Sequence, residues 1–146
     1  MIALIQRVTH AHVEIDNNLV GQIDKGMMLL LGVEKTDSEE TVKKLANKLM
    51  KLRIFSDAEG KMNLNIQQFG GAMLIVSQFT LVADTSKGNR PGFSNAAPPE
   101  QGKYLYQQFV EYCQQQGVEC QTGEFGADMQ VSLTNDGPVT FHLQIN

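Results

Sequence analysis

Cysteine is scarce in this chain, which has only Cys113 and Cys120. The two are not spaced as a CxxC pair, and no histidine stands near them at zinc-finger spacing, so nothing marks a metal centre. A reducing, cytoplasmic setting is the simpler expectation for so few thiols. Basic charge is also short: 12 Lys and Arg face 16 Asp and Glu, a net charge of −4. Proteins that grip long phosphate backbones rely on a basic face, so DNA is not an expected partner and any nucleic-acid contact should be local. No apolar run approaches the roughly 18 residues that suggest a membrane span, and Met1–Arg7 turns polar too quickly for a secretory signal. No membrane partner is expected. GxSxG, HExxH and a Gly-rich phosphate loop are missing as well, which removes the commonest hydrolase and nucleotide signatures. Neither a metal nor any other cofactor is expected.

What is there suits one domain. The chain has 146 residues, 42% of them hydrophobic, enough to bury a core without staples. Ile2–Ile15 alternates loosely, Asp16-Asn17-Asn18 offers turn chemistry, and Leu19–Ile23 follows, predicting a hairpin. Met27–Val33 is short and continuously apolar, as in a strand buried on both faces. Asp37 or Ser38 is placed to cap a helix whose first turn holds Glu39 and Glu40. Val42, Leu45, Ala46 and Leu49 then form one apolar stripe opposite Lys43, Lys44, Lys48 and Lys51. Arg53-Ile54-Phe55 reads as a short strand. Met73–Val76 reads as a buried strand continuing into Ser77-Gln78-Phe79-Thr80-Leu81, and Ala83–Pro99 as a long loop carrying Lys87 and Arg90. Pro99 opens a second helix running to about Gln116, with Gly117 as its stop. A strand around Val118–Gln121 follows. Met129–Thr134 and Val139–Ile145 read as two strands joined through Asn135-Asp136-Gly137-Pro138. The expected fold is therefore a single α/β (α+β) domain over residues 1–146, with a mixed or antiparallel sheet, or a barrel-like β core, and two main helices.

Candidate chemistry centres on Ser77, Gln78, Phe79 and Thr80. Hydroxyl and amide groups at the end of a buried apolar strand must be satisfied locally or face a ligand. Strand alternation puts Ser77 and Phe79 on one face and Gln78 and Thr80 on the other, and unpaired amides at the strand end suit a developing oxyanion. An ordinary strand end fits the same residues. His10, His12 and His142 permit a Ser-His-Asp triad only formally, because no carboxylate is placed behind any of them. His10 and His12 share a strand face, but a third metal ligand is unidentified. Read alone, Gly137-Pro138 is a turn, and Phe125 and Met129 are core residues.

Ser77-Gln78-Phe79-Thr80-Leu81 and Asn135-Asp136-Gly137-Pro138-Val139-Thr140 resemble the two signature motifs of the D-aminoacyl-tRNA deacylases. Ile5-Gln6-Arg7-Val8, Leu52-Arg53-Ile54-Phe55, Gly60-Lys61-Met62-Asn63, Arg90-Pro91, Ala97-Pro98-Pro99 and Phe125-Gly126-Ala127-Asp128-Met129 match in order, so the likeness spans the chain. It implies a homodimer whose pocket takes the 3′ end of an aminoacylated tRNA and is completed in trans by the partner's Gly-Pro. That bond is expected to be cis, with Arg7 helping to hold it. Gly137 and Pro138 would exclude an L side chain, while Phe125, Ala127 and Met129 would line the pocket. Ser77–Thr80 would stabilise the oxyanion of the ester being hydrolysed. The resemblance leaves two readings of the proton path open, Thr80 as a nucleophile or the substrate's own ribose 2′-hydroxyl as a relay. A non-catalytic RNA-end or amino-acid-binding module and a Thr80-dependent hydrolase of small metabolites are the rival functions, and removal of mischarged glycine is a further implied activity.

Overall fold

The alternating residues at the start of the chain build one long strand, β1 (Ile2–Ile15), in a computed structural model that describes residues 1–146. Asp16 and Asn17 turn with φ of 50° and 65°, the left-handed values that a tight hairpin needs and that Asn and Asp tolerate. β2 (Asn18–Ile23) then returns antiparallel along the far half of β1, and β3 (Gly26–Gly32) pairs along its near half. The opposite edge of β1 is taken by β8 (Gln130–Gln144). β6 (Ala72–Ser77) joins β3 in parallel, and β7 (Cys120–Thr122) joins β6 in parallel. β4 (Phe55–Ser56) and β5 (Met62–Leu64) form a separate small hairpin. At Gly21 an added Cβ would lie 2.4 Å from the Thr122 carbonyl oxygen. This close approach of β2 to β7 brings the mixed sheet near to a closed barrel, as expected.

Two cores follow from strand alternation. One face of the sheet presents Ala3, Ile5, Met27, Leu29, Leu31, Met73 and Ile75 to the helices α1 (Glu39–Lys51) and α3 (Pro99–Gln115). The other turns Val8, Val13, Met28, Leu74 and Val76 toward Met129, Val131 and Leu133. β3 is thus buried on both sides, as its unbroken apolar run predicts. A third helix of four residues, α2 (Ile66–Phe69), lies between β5 and β6 in chain order, in addition to the two main helices expected. No helix is long and apolar enough to cross a membrane.

One expectation is narrowed and others need correction. Of Asp37 and Ser38, Ser38 caps α1, in a reciprocal box with Thr41. Asp37 is instead buried, and its carboxylate accepts from the Met1 ammonium at 2.8 Å, which also reaches Glu34 at 2.7 Å and the Ile145 carbonyl. Arg53-Ile54 precede the short strand, which is Phe55–Ser56. The two C-terminal strands expected on either side of Asn135–Pro138 are one continuous strand: both halves pair with β1, and the extra residues are absorbed by register shifts opposite Gln6–His10. A turn sequence thus became a bulge, because both flanking segments find the same partner.

Candidate active site

β6 ends at Ser77, and the chain does not stay extended beyond it. Gln78 (φ −144°, ψ 83°) leads into a 3-10 turn over Phe79–Val82, closed by the Leu81 amide donating to the Gln78 carbonyl and the Ala83 amide to Thr80. The expected alternation of Ser77 and Phe79 against Gln78 and Thr80 is therefore corrected, since a 3-10 turn rotates side chains by a third of a turn per residue. The first amides of this turn, Phe79 and Thr80, are the donors its own bonding leaves over. The Gln78 amide donates to the Thr80 hydroxyl.

Beyond the strand end lies a cavity of about 460 Å³ with mostly apolar walls. Ser77, Gln78 and Phe79 form one side, and Phe125, Ala127 and Met129 the other. Segments almost fifty residues apart in sequence are thus brought together. Thr80 is exposed and does not border this cavity. Gly123 explains how Met129 fits: a Cβ there would come within 2.4 Å of its sulfur.

Phe125 is held from below and from the side. An added Cβ at Gly102, inside α3, would sit 3.3 Å from its Cζ, and its ring meets that of Tyr106 edge-on with centroids 6.1 Å apart. The buried Tyr106 hydroxyl donates to the Ile75 carbonyl at 2.6 Å. Burial pushes this phenol well above its ordinary pKa, against a smaller opposing bond with Thr122.

The wall also includes Ala96, Ala97 and Pro99, which the residue reading did not assign to the site. Their position is set by hydrogen bonds to the backbone: the Ala97 amide donates to the Val33 carbonyl, the Lys35 amide to the Asn95 carbonyl, and the Gln101 side-chain Nε2 to the carbonyls of Lys35 and Asp37. Ala97-Pro98-Pro99 was the one sequence signal for this wall, through a proline-led helix start.

Arg7, Gly137 and Pro138 do not border that cavity. Gly137-Pro138 is exposed, joined by a cis peptide bond, with Gly137 at φ 133°, a value that favours glycine. The Arg7 guanidinium donates to the carbonyls of Asp136 at 3.0 Å and Ile54 at 2.9 Å. Asn135 closes the protrusion, accepting from the Val139 amide at 2.9 Å and donating to the Thr140 hydroxyl at 2.8 Å. Within one chain the two signature segments are built separately.

A family profile described as D-Tyr-tRNA(Tyr) deacylase matches residues 4–144. Proteins named D-aminoacyl-tRNA deacylase from Shewanella loihica and Shewanella frigidimarina are each 63% identical over 145 residues, 99% of this chain and all of theirs. A solved structure named c-Myc DNA Unwinding Element Binding Protein superimposes with a TM-score of 0.95 at 36% identity, covering all of this chain and 99% of that one. A probable eukaryotic D-amino acid tRNA deacylase gives 0.85 at 17% identity over 99% and 98% of the two chains, a likeness of fold.

Proposed function

This chain belongs to the D-Tyr-tRNA(Tyr) deacylase family, and from that premise we propose that it hydrolyses the ester joining a D-amino acid to the terminal ribose of tRNA, releasing the free amino acid and intact tRNA. The observation that carries the assignment of the site is the cavity between the β6 end and residues 125–129. An aminoacyl ester is already activated, so the protein's task is to orient the carbonyl and stabilise the charge that develops on its oxygen. The amide of Phe79, at the cavity wall, serves as that donor, with the free amide of Thr80 next to it in the same turn. Ser77 and Gln78 shape the strand end, while Phe125, Ala127 and Met129 hold the acyl-adenosine. Water attacks the carbonyl carbon, the ribose oxygen leaves, and the adjacent 2′-hydroxyl relays the proton.

The second signature segment enters from a partner. β8 pairs only with β1, so one edge of a 15-residue strand is free, and Phe141 on it is 37% exposed. Such an edge calls for a cover. In a two-fold dimer each protomer would extend Gly137-Pro138, braced by Arg7, over its partner's cavity. Carbonyl oxygens fixed beside the substrate Cα bond its amino group and leave no volume for an L side chain, so selection works by exclusion. The substrate places this activity in the cytosol, where tRNA is charged.

Matched D- and L-aminoacyl-tRNA incubated with the protein, with and without a chelator, provide the test. Release of free D-amino acid with L-esters untouched and no effect of the chelator is expected, and glycyl-tRNA, with no side chain to exclude, should be cleaved. Tight binding of the tRNA without release would instead identify a non-catalytic module.

A further inference from the structure

Phe125 borders two cavities, not one. The second, about 560 Å³, lies between α3 and residues 122–125, lined by Lys103, Gln107 and Glu111 from the helix and by Thr122 and Glu124 opposite. The spacing of four sets Lys103, Gln107 and Glu111 in a row along one helix face. The opposite side of α3 supplies Leu105, Phe109 and Cys113 to the core. The polar row therefore does not hold the helix in place. Lys103, Gln107, Glu111 and Glu124 are exposed, and none takes part in an ion pair or side-chain hydrogen bond. The shared ring is fixed by Tyr106 and Gly102, so the two cavities adjoin one well-held aromatic side chain.

The occupant is constrained by charge. One ammonium faces two carboxylates here, which disfavours a bare anion and calls for a ligand bringing hydrogen-bond donors together with a single phosphate. Resting on the reading of the first cavity as the aminoacyl-adenosine site, we propose that the second cavity binds the penultimate nucleotide of the tRNA, the cytidine that precedes the terminal adenosine in every tRNA. Single-stranded nucleotides are held by aromatic rings and by bonds to their base edges. Cytosine offers an exocyclic amine, which a glutamate accepts. Glu111 and Glu124 take that amine, Gln107 meets the neighbouring carbonyl edge, and Lys103 meets the phosphate as a point charge.

Three synthetic esters test this: the D-tyrosyl esters of adenosine, cytidylyl-adenosine and uridylyl-adenosine. In the wild-type protein the cytidine-bearing ester should exceed the adenosine ester by about tenfold in kcat/KM, the order of one well-made base contact, and the uridine-bearing ester should fall between. Lys103→Ala and Gln107→Ala, both on an exposed helix face, should erase most of that gain and leave the adenosine ester unchanged. Equal rates for the adenosine and cytidine-bearing esters, or an equal loss on all three in the variants, would overturn the subsite. Equilibrium binding of unesterified cytidylyl-adenosine supplies a readout independent of turnover. If no ester were cleaved, the hydrolase reading would fall. The subsite would then stand on weaker dinucleotide binding by Lys103→Ala, and would fall if both proteins bound equally.

Discussion

Thr80 illustrates how backbone and side chain divide a role. Its hydroxyl accepts from Gln78 and stands outside the cavity, while its amide is one of the donors left over by the 3-10 turn. Thr80→Ala should therefore keep kcat within about tenfold of the wild type, whereas an obligatory nucleophile would lose several orders of magnitude. Single-turnover hydrolysis of a D-aminoacyl-tRNA by folded variant decides between them. Cys120 makes a different kind of statement. Burial is the main cause that raises its thiol from an ordinary 9.0 to about 11, with Glu119 adding to it, and burial pushes neighbouring Cys113 up as well. A proton held more tightly in the folded state stabilises fully below pH 9, and that contribution disappears as pH rises from 9 to about 11. The urea midpoint should fall across that window, and fall less steeply in Cys120→Ala.

Among the elements, the β3–β6 pair carries the tightest steric condition. Gly26 opposes Ala72, and a Cβ on Gly26 would lie 1.9 Å from the Ala72 carbonyl oxygen, which is backbone and cannot swing away. Gly26→Ala should cost about 3 kcal/mol, the upper end of overpacking. Gly92→Ala, whose nearest added contact is 3.8 Å, should leave the denaturation midpoint almost unmoved. Elements with a clear period were legible in advance: the β1–β2 hairpin, doubly buried β3, the apolar stripe of α1 and the proline-led α3. Missed features share a cause, in that a local signal was outvoted by distant pairing. Asn135–Pro138 reads as a turn until β1 supplies one partner for both flanks. Ser77–Leu81 reads as strand until the chain leaves the sheet at Gln78. Asp37 and Ser38 read as equal candidates for one cap until an ammonium 36 residues away claims the Asp37 carboxylate. The cavity was legible only as a set of motifs, because no periodicity relates residues 77–79 to residues 125–129.

For the whole molecule, the separation of the two signature segments within one chain makes a sharp demand. If each pocket is shared, a protein disabled at the β6 end and another disabled at Gly137-Pro138 should each be inactive alone. Mixed, unfolded and refolded together, they should regain activity, because a heterodimer contains one pocket with both halves intact. The expected ceiling is about a quarter of the wild-type rate, from half the dimers carrying one of two sites. No recovery, despite demonstrated exchange of subunits, would mean that each chain works alone.

The pairing of β1 with β8 also bears on how the molecule comes into being. Residues 2–14 wait for residues 130–144, so the longest seam of the sheet joins two segments more than a hundred residues apart in the order of synthesis. During synthesis β3 and β2 can zip onto one side of β1, but its other side stays open until β8 has left the ribosome. Contacts so far apart in sequence form slowly, and an exposed strand edge is a template for neighbouring chains. The same late segment carries Gly137-Pro138. A nascent chain therefore acquires its Gly137-Pro138 bulge and the cover over the open side of β1 in one late event.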